Sequence, residues 1–305
     1  MDFFSFISYE AKSFKSSLEW YSGLLVVLIF YGFWLVFKKP VQLIFQDTKF
    51  EKIANKLTQV PKIDLRDFLR TFFFVLLAFS TFTIALGALT LSCQNRLMNQ
   101  EFFIWEEQFF GVQPFIWFHT LANPFYHLMY LLSEVIIQCF MSFSMMVGVT
   151  LIILYIWGKK KDFLAYVAAG FIGCIMGFFF WYAYPINSPN NFYIDHNKMP
   201  GEFNPPQNVL DLQAEIRDDQ RAIHPISTFP SMHTMWAIMI VYYLAKVKKE
   251  ILYLGVPWLV FLILGTAYLA QHYFVDALWA MPMAYISILL GNKLGTWFAK
   301  QNPSS

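Results

Sequence analysis

The side chains able to do chemistry lie in two short stretches: Phe229-Pro230-Ser231-Met232-His233-Thr234, and His272-Tyr273-Phe274-Val275-Asp276 about forty residues later. Each sets a histidine at the mouth of an apolar run. In the second, Asp276 follows His272 by four residues, one helical turn along the same face. A carboxylate in or beside a membrane span is expensive unless paired, and His272 is its nearest partner. The group can transfer phosphorus. Asp276 holds one tautomer of His272, the free ring nitrogen attacks, and His233 protonates the departing oxygen as general acid. The plainer readings stand beside this one: a lone histidine at a helix end is usually an interfacial or capping residue. Ser231 before an apolar run is a helix N-cap, and a helix N-terminus with free amides is also a phosphate site.

Long apolar spans must position these residues. Apolar residues make up 57% of the 305-residue chain and charged residues 14%, against roughly 25% charged in an ordinary soluble domain. Seven spans can be drawn: 20–37, 71–92, 127–157, 163–184, 232–246, 251–270 and 273–292. Sixteen of the 22 basic residues fall in the connections 38–70, 159–162, 246–250 and after 292. By the positive-inside rule those connections and the C-terminus are cytoplasmic. Both histidine motifs then share the non-cytoplasmic face, where the antiparallel fifth and sixth spans bring them to one depth. A net charge of +2 without a basic-aromatic cluster gives no reason to expect a nucleic-acid partner. Cys93, Cys139 and Cys174 match no metal or disulfide spacing, and His119, His127, His196 and His224 match no zinc pattern. The N-terminus lacks the features of a cleaved signal peptide, so the first run is expected to stay as an anchor.

Three further segments differ from a plain span. Segment 99–125 mixes Glu101, Glu106, Glu107 and Gln108 with many aromatics, which suits an amphipathic helix in the outer interface. The connection 185–230 is long and carries its own charge, as a functional lid or mouth does. In the third span His127, Glu134 and Gln138 form a polar stripe. Glu134 should face the bundle interior, either contacting a headgroup or hydrogen-bonding another helix.

Pro230-Ser231-Met232-His233, the His272-to-Asp276 spacing and their order resemble the type 2 phosphatidic acid phosphatase (PAP2) superfamily. The run Thr266-Ala267-Tyr268-Leu269-Ala270-Gln271-His272-Tyr273-Phe274-Val275-Asp276 looks closest to its inositolphosphotransferase branch, typified by fungal inositol phosphorylceramide synthase. Tyr184-Pro185 followed by Pro189 looks like that branch's degenerate first motif. The resemblance implies His272 as nucleophile, Asp276 as its orienter, His233 as general acid and Ser231 as a phosphate ligand. It also implies a six-helix core, no metal, no cofactor and an active site open to the outer leaflet. Two departures stand out: no Arg-Pro dipeptide is present, and Thr266 stands where the phosphatases carry an arginine. Arg217 and Arg221, spaced i, i+4, are the candidates to neutralise phosphate instead, although they also suit a solvated loop helix.

The expectation is therefore an all-α, polytopic transmembrane bundle. Residues 1–98 would form anchor helices and a cytoplasmic loop, and 99–298 a PAP2-like catalytic bundle with outer loop 185–230. The expected activity moves a phosphate-containing headgroup of a membrane phospholipid or sphingolipid, with Tyr184, Glu134 and His127 as further headgroup candidates. A lipid phosphate phosphatase is the alternative. From another class, a transporter could use the same histidines and Glu134 as a proton relay.

Overall fold

The computed structural model describes residues 65–93, 96–122, 126–157, 159–190, 206–214 and 228–301. The anticipated first span, 20–37, lies outside them. Nine helices dominate these residues, and no strand element occurs among them. They are α1 (Leu65–Cys93), α2 (Asn99–Phe110), α3 (Pro114–Ala122), α4 (Tyr126–Met141), α5 (Phe143–Trp157), α6 (Lys160–Ala183), α7 (Met232–Val247), α8 (Leu252–Tyr268) and α9 (Phe274–Gln301). A further short helical stretch covers 207–214. The segments Arg70–Leu89, Lys160–Ala183, Lys249–Tyr268 and Phe274–Gln301 are each long and apolar enough to cross a bilayer. Large apolar side chains such as Phe73 and Phe74 on α1 and Phe179 on α6 face outward, as in an integral membrane protein.

Two expected elements take a different form. The run 127–157 is not one straight span: α4 and α5 meet at Ser142 with a bend of 49°. Ser142 Oγ donates back to the Cys139 carbonyl at 2.9 Å and accepts from Trp258 Nε1 of α8 at 2.9 Å. Such back-bonding competes with the helical ladder and bends helices. The aromatic segment 99–125 is two helices rather than one. Gly111 takes a left-handed φ of 76° and its N–H caps the Glu107 carbonyl, so α2 stops there. Pro114 then opens α3 at the position where its missing N–H costs nothing.

The core gathers around α7, which packs against α5, α6, α8 and α9. Met235, Trp236, Met239, Ile240 and Tyr243 of α7 are all buried in it. The most extensive helix pair is α6 with α9. A Cβ added at Gly291 would lie 2.6 Å from the Ala165 carbonyl, and one at Gly295 would lie 2.5 Å from that of Lys161. Glycines four apart thus let two backbones touch, the small-residue packing favoured where water gives no hydrophobic drive. Gly291→Leu is expected to lower thermal stability in detergent by about 1–3 kcal/mol. Leu290→Ala, at an outward position beside it, should change it little. At the end of α7 away from His233, Lys246 reaches Asp162 of α6 at 3.1 Å and Asn292 of α9 at 2.7 Å, tying three helices. α1 joins on the outside of α6, where Phe82 meets Phe178 at 4.8 Å.

Candidate active site

The turn between α8 and α9 is built to present one histidine. Leu269 N–H donates to the Gly265 carbonyl, and the Gln271 and His272 N–H groups both donate to the Thr266 carbonyl at 3.0 Å. Ala270 supplies the left-handed residue, with φ 53°, that lets the chain reverse. Asp276 then closes the start of α9 from inside: its Oδ2 accepts the Tyr273 N–H at 2.9 Å, one half of a capping box. Thr266, buried and occupied by these bonds, braces the turn and carries no charge toward it.

The second histidine arrives on α7. Ser231 is its N-cap, with Oγ accepting from Thr234 N–H at 3.3 Å, while Ser231 N–H donates to the Asp276 carbonyl at 3.1 Å. That last bond joins the two motifs backbone to backbone. His233 Nδ1 lies 3.0 Å from His272 Nε2. The His233 ring is held by Phe140 and Phe143, at centroid distances of 5.1 and 4.8 Å. These two residues flank the break at Ser142, so the bend seats the histidine.

His272 Nδ1 hydrogen-bonds the Thr228 carbonyl at 2.8 Å, and Asp276 Oδ2 lies 3.5 Å from the same nitrogen. A carbonyl can only accept, so Nδ1 carries the proton and Nε2 keeps its lone pair toward His233. Burial pushes His272 down to about 4, with the Thr228 carbonyl opposing. The imidazole is therefore neutral at ordinary pH. Asp276 is fully buried, and its Oδ1 has no hydrogen-bond partner.

His233, His272, Asp276 and Ser231 thus meet in one place. Tyr184 ends α6 nearby, its ring 6.2 Å from Phe229. Segment 185–190 braces the site on both sides, with the Ile186 carbonyl accepting Thr228 N–H at 3.4 Å and Asn190 N–H donating to the Ala270 carbonyl at 2.9 Å. Glu134 instead accepts from Asn208 Nδ2 at 2.6 Å, tying α4 to the stretch 207–214. Gln138, third in the polar stripe, is exposed. His127 lies on α4, and Arg217 and Arg221 fall outside the described residues. Among the described residues no cluster of three or more His, Cys, Asp or Glu could hold a metal.

Two contributors were not singled out from the sequence. Thr228 acts through its carbonyl, which no residue type announces. Glu106, which the interfacial reading of segment 99–125 did not tell apart from its acidic neighbours, turns inward. It is 1% exposed and accepts the Val275 N–H at 3.2 Å. It shares the inner face of α2 with Phe102, whose ring packs on Phe229 at 4.7 Å, and with Phe103, which packs against Phe115 and Ala270. Phe110 is exposed, its ring edge-on to Phe274 at 5.6 Å. A carboxylate amid an apolar helical face was the available signal.

In comparison with known families, residues 107–290 match the PAP2 superfamily. Searches of curated proteins and of solved structures return no match. The matched stretch carries both histidine motifs and spans more than half of the 305 residues, so the chain belongs to the PAP2 superfamily, a membership that supports a phosphatase- or phosphotransferase-type lipid enzyme.

Proposed function

We propose that this protein transfers a phosphate-containing headgroup between membrane lipids through a phosphohistidine at His272, as an inositolphosphotransferase does. The observation that carries the reading is the 3.0 Å approach of His233 Nδ1 to His272 Nε2, with the Nδ1 proton of His272 committed to the Thr228 carbonyl and Asp276 Oδ2 3.5 Å from it. In the first step the Nε2 lone pair forms a bond to phosphorus as the bond to the leaving alcohol breaks. His233, in its protonated form, gives that oxygen a proton. In the second step an acceptor hydroxyl attacks phosphorus, His233 takes its proton, and the P–N electron pair returns to Nε2. Asp276 offsets the positive charge that His272 gains in between. The free amides at the start of α7, with Ser231, would cradle the phosphoryl oxygens. Arg217 and Arg221 would supply the positive charge that Thr266 does not.

Tyr184, Glu134 and His127 are proposed to approach the headgroup, and 99–298 to be the catalytic bundle, with 1–98 as anchor. The lysine distribution supports an active site on the non-cytoplasmic face and a cytoplasmic C-terminus. α7 has sixteen residues, which rise about 24 Å, less than the roughly 30 Å of hydrocarbon. With Lys246 at one interface, the histidines at the other end would sit below the opposite one, within reach of a lipid phosphate.

The test is product analysis on purified protein in detergent, using labelled phosphatidylinositol with and without ceramide. A new phosphosphingolipid that needs ceramide and is lost in His272→Ala is the expected result. Inositol phosphate or phosphate released without an acceptor would make the protein a hydrolase. Turnover that survives in His272→Ala would remove the phosphohistidine.

A further inference from the structure

Two buried carboxylates meet at the N-terminus of α9, and they come from different elements. Asp276 caps Tyr273 N–H from within α9, and Glu106 caps Val275 N–H from α2. Their exposures are 0% and 1%. Among the described residues no lysine or arginine makes an ion pair with either, and the ionisable side chain beside Asp276 is His272. The other acidic groups of α2, Glu101 and Glu107, are exposed, and Arg96 before it lies over the Tyr182 ring. Two negative charges confined at this distance from water repel each other, and one proton between them removes the repulsion. Asp276 already holds an oxygen, Oδ1, that is buried and without a partner. It is an acceptor awaiting a donor.

We propose that Glu106 is a positioning residue that works as a neutral carboxylic acid, its carbonyl oxygen capping α9 and its hydroxyl directed at Asp276 Oδ1. The pair then carries one negative charge, placed on Asp276 beside His272. Burial, reinforced by Asp276, raises Glu106 from 4.5 to about 8 against the opposing amides of Val275 and Phe274. The role differs from that of an ordinary ionised helix cap, which attracts the helix dipole through its charge. A neutral acid needs only its hydrogen bonds, so an amide can replace it. This inference rests on the reading of His272 and Asp276 given above. The family match begins at residue 107, so Glu106 lies just outside it.

The pH dependence follows in sign. Because the folded value exceeds the unfolded one, the stability Glu106 contributes is full below pH 4.5 and is lost as pH rises to about 8. Turnover by the wild-type protein should fall as pH passes about 8, where the folded protein itself gives up the Glu106 proton and repulsion loosens α2 from α9. At pH 9 only about a tenth of the molecules keep the proton.

The experiment compares wild type, Glu106→Gln, Glu106→Ala and His272→Ala in detergent across pH 6 to 9. Thermal stability is read alongside turnover of whichever probe the wild type consumes, phosphatidylinositol with ceramide or phosphatidic acid. Glu106→Gln should retain turnover at pH 7, and its activity relative to wild type should climb about tenfold by pH 9. Its melting temperature should lose the alkaline decline seen in wild type, while Glu106→Ala is impaired at every pH. A Gln variant as impaired as Ala, with a pH-independent ratio to wild type, would show an ionised cap and overturn the proposal. The melting curves decide the protonation state even if His272→Ala remains active, which would sink the phosphohistidine instead.

Discussion

His272→Ala should lower turnover by at least about 10⁴-fold, because it removes the atom that bonds to phosphorus. Asp276→Asn should cost far less, about a hundredfold, and the contrast comes from geometry. The Thr228 carbonyl lies nearer to His272 Nδ1 than Asp276 does, 2.8 against 3.5 Å. The carbonyl alone therefore keeps the proton on Nδ1 and the lone pair on Nε2. Asparagine removes the negative charge facing the ring but leaves the tautomer. Charge loss at this distance forfeits about 2–3 kcal/mol of transition-state stabilisation, which converts to about a hundredfold in rate. A flipped tautomer would cost about 10⁴-fold instead. Single-turnover kinetics with acid-quench detection of phosphohistidine separates the cases. Asp276→Asn should form the intermediate slowly and His272→Ala not at all. A loss in Asp276→Asn equal to that in His272→Ala would mean that Thr228 does not orient the ring. An acid limb near pH 4, where His272 gains its proton, should persist in wild type.

What could be read from the residues was the part fixed by local chemistry and long-range alternation. Apolar runs of span length marked α6 and α8 closely and the start of α9, which continues nine residues beyond its expected end at 292 to Gln301. Antiparallel succession requires the start of α7 and the end of α8 to meet, which brings His233 and His272 together on sequence grounds alone. The break at Ser142 was hidden because serine is ordinary in an apolar helix. What bends the chain there is a tertiary partner, Trp258, more than a hundred residues away. Gly111 and Pro114 did announce the division of 99–125, but the density of aromatics favoured one interfacial helix. Glu134 hydrogen-bonds Asn208, a partner that no periodicity could name.

Glu106 shows the more general difficulty. Three acidic side chains lie within seven residues of α2, and only one turns inward. Choosing it requires the helix to be phased by Phe102 and Phe103 together, and those two are outnumbered by Trp105, Phe109 and Phe110, which face out. The choice depends on which neighbour fills the other side, here the first turn of α9. Side-chain identity carried the nucleophile and its acid. The groups that hold them in place are backbone carbonyls, a bend and a buried carboxyl, all defined by packing.

His233→Asn is expected to separate the two halves of the reaction. Asparagine places an N–H near the position of Nδ1, so the contact with His272 Nε2 can be kept, but it has no proton to give or take. Loss of a general acid costs about 10²–10⁴-fold when the leaving group is an alkoxide. A lipid-like phosphate ester of p-nitrophenol needs no such help, because nitrophenolate departs unprotonated. On that probe the variant should release a burst of nitrophenol matching the enzyme concentration. Turnover should then stall, since the acceptor hydroxyl finds no base and phosphohistidine accumulates. On a natural glycerolipid the same variant should show neither burst nor turnover. The Phe140 and Phe143 contacts give the rival explanation, in which His233 merely packs the bend. A packing defect would slow both substrates by the same factor and leave no intermediate. Equal losses on the two leaving groups would therefore withdraw the acid–base role from His233, whatever the size of the loss.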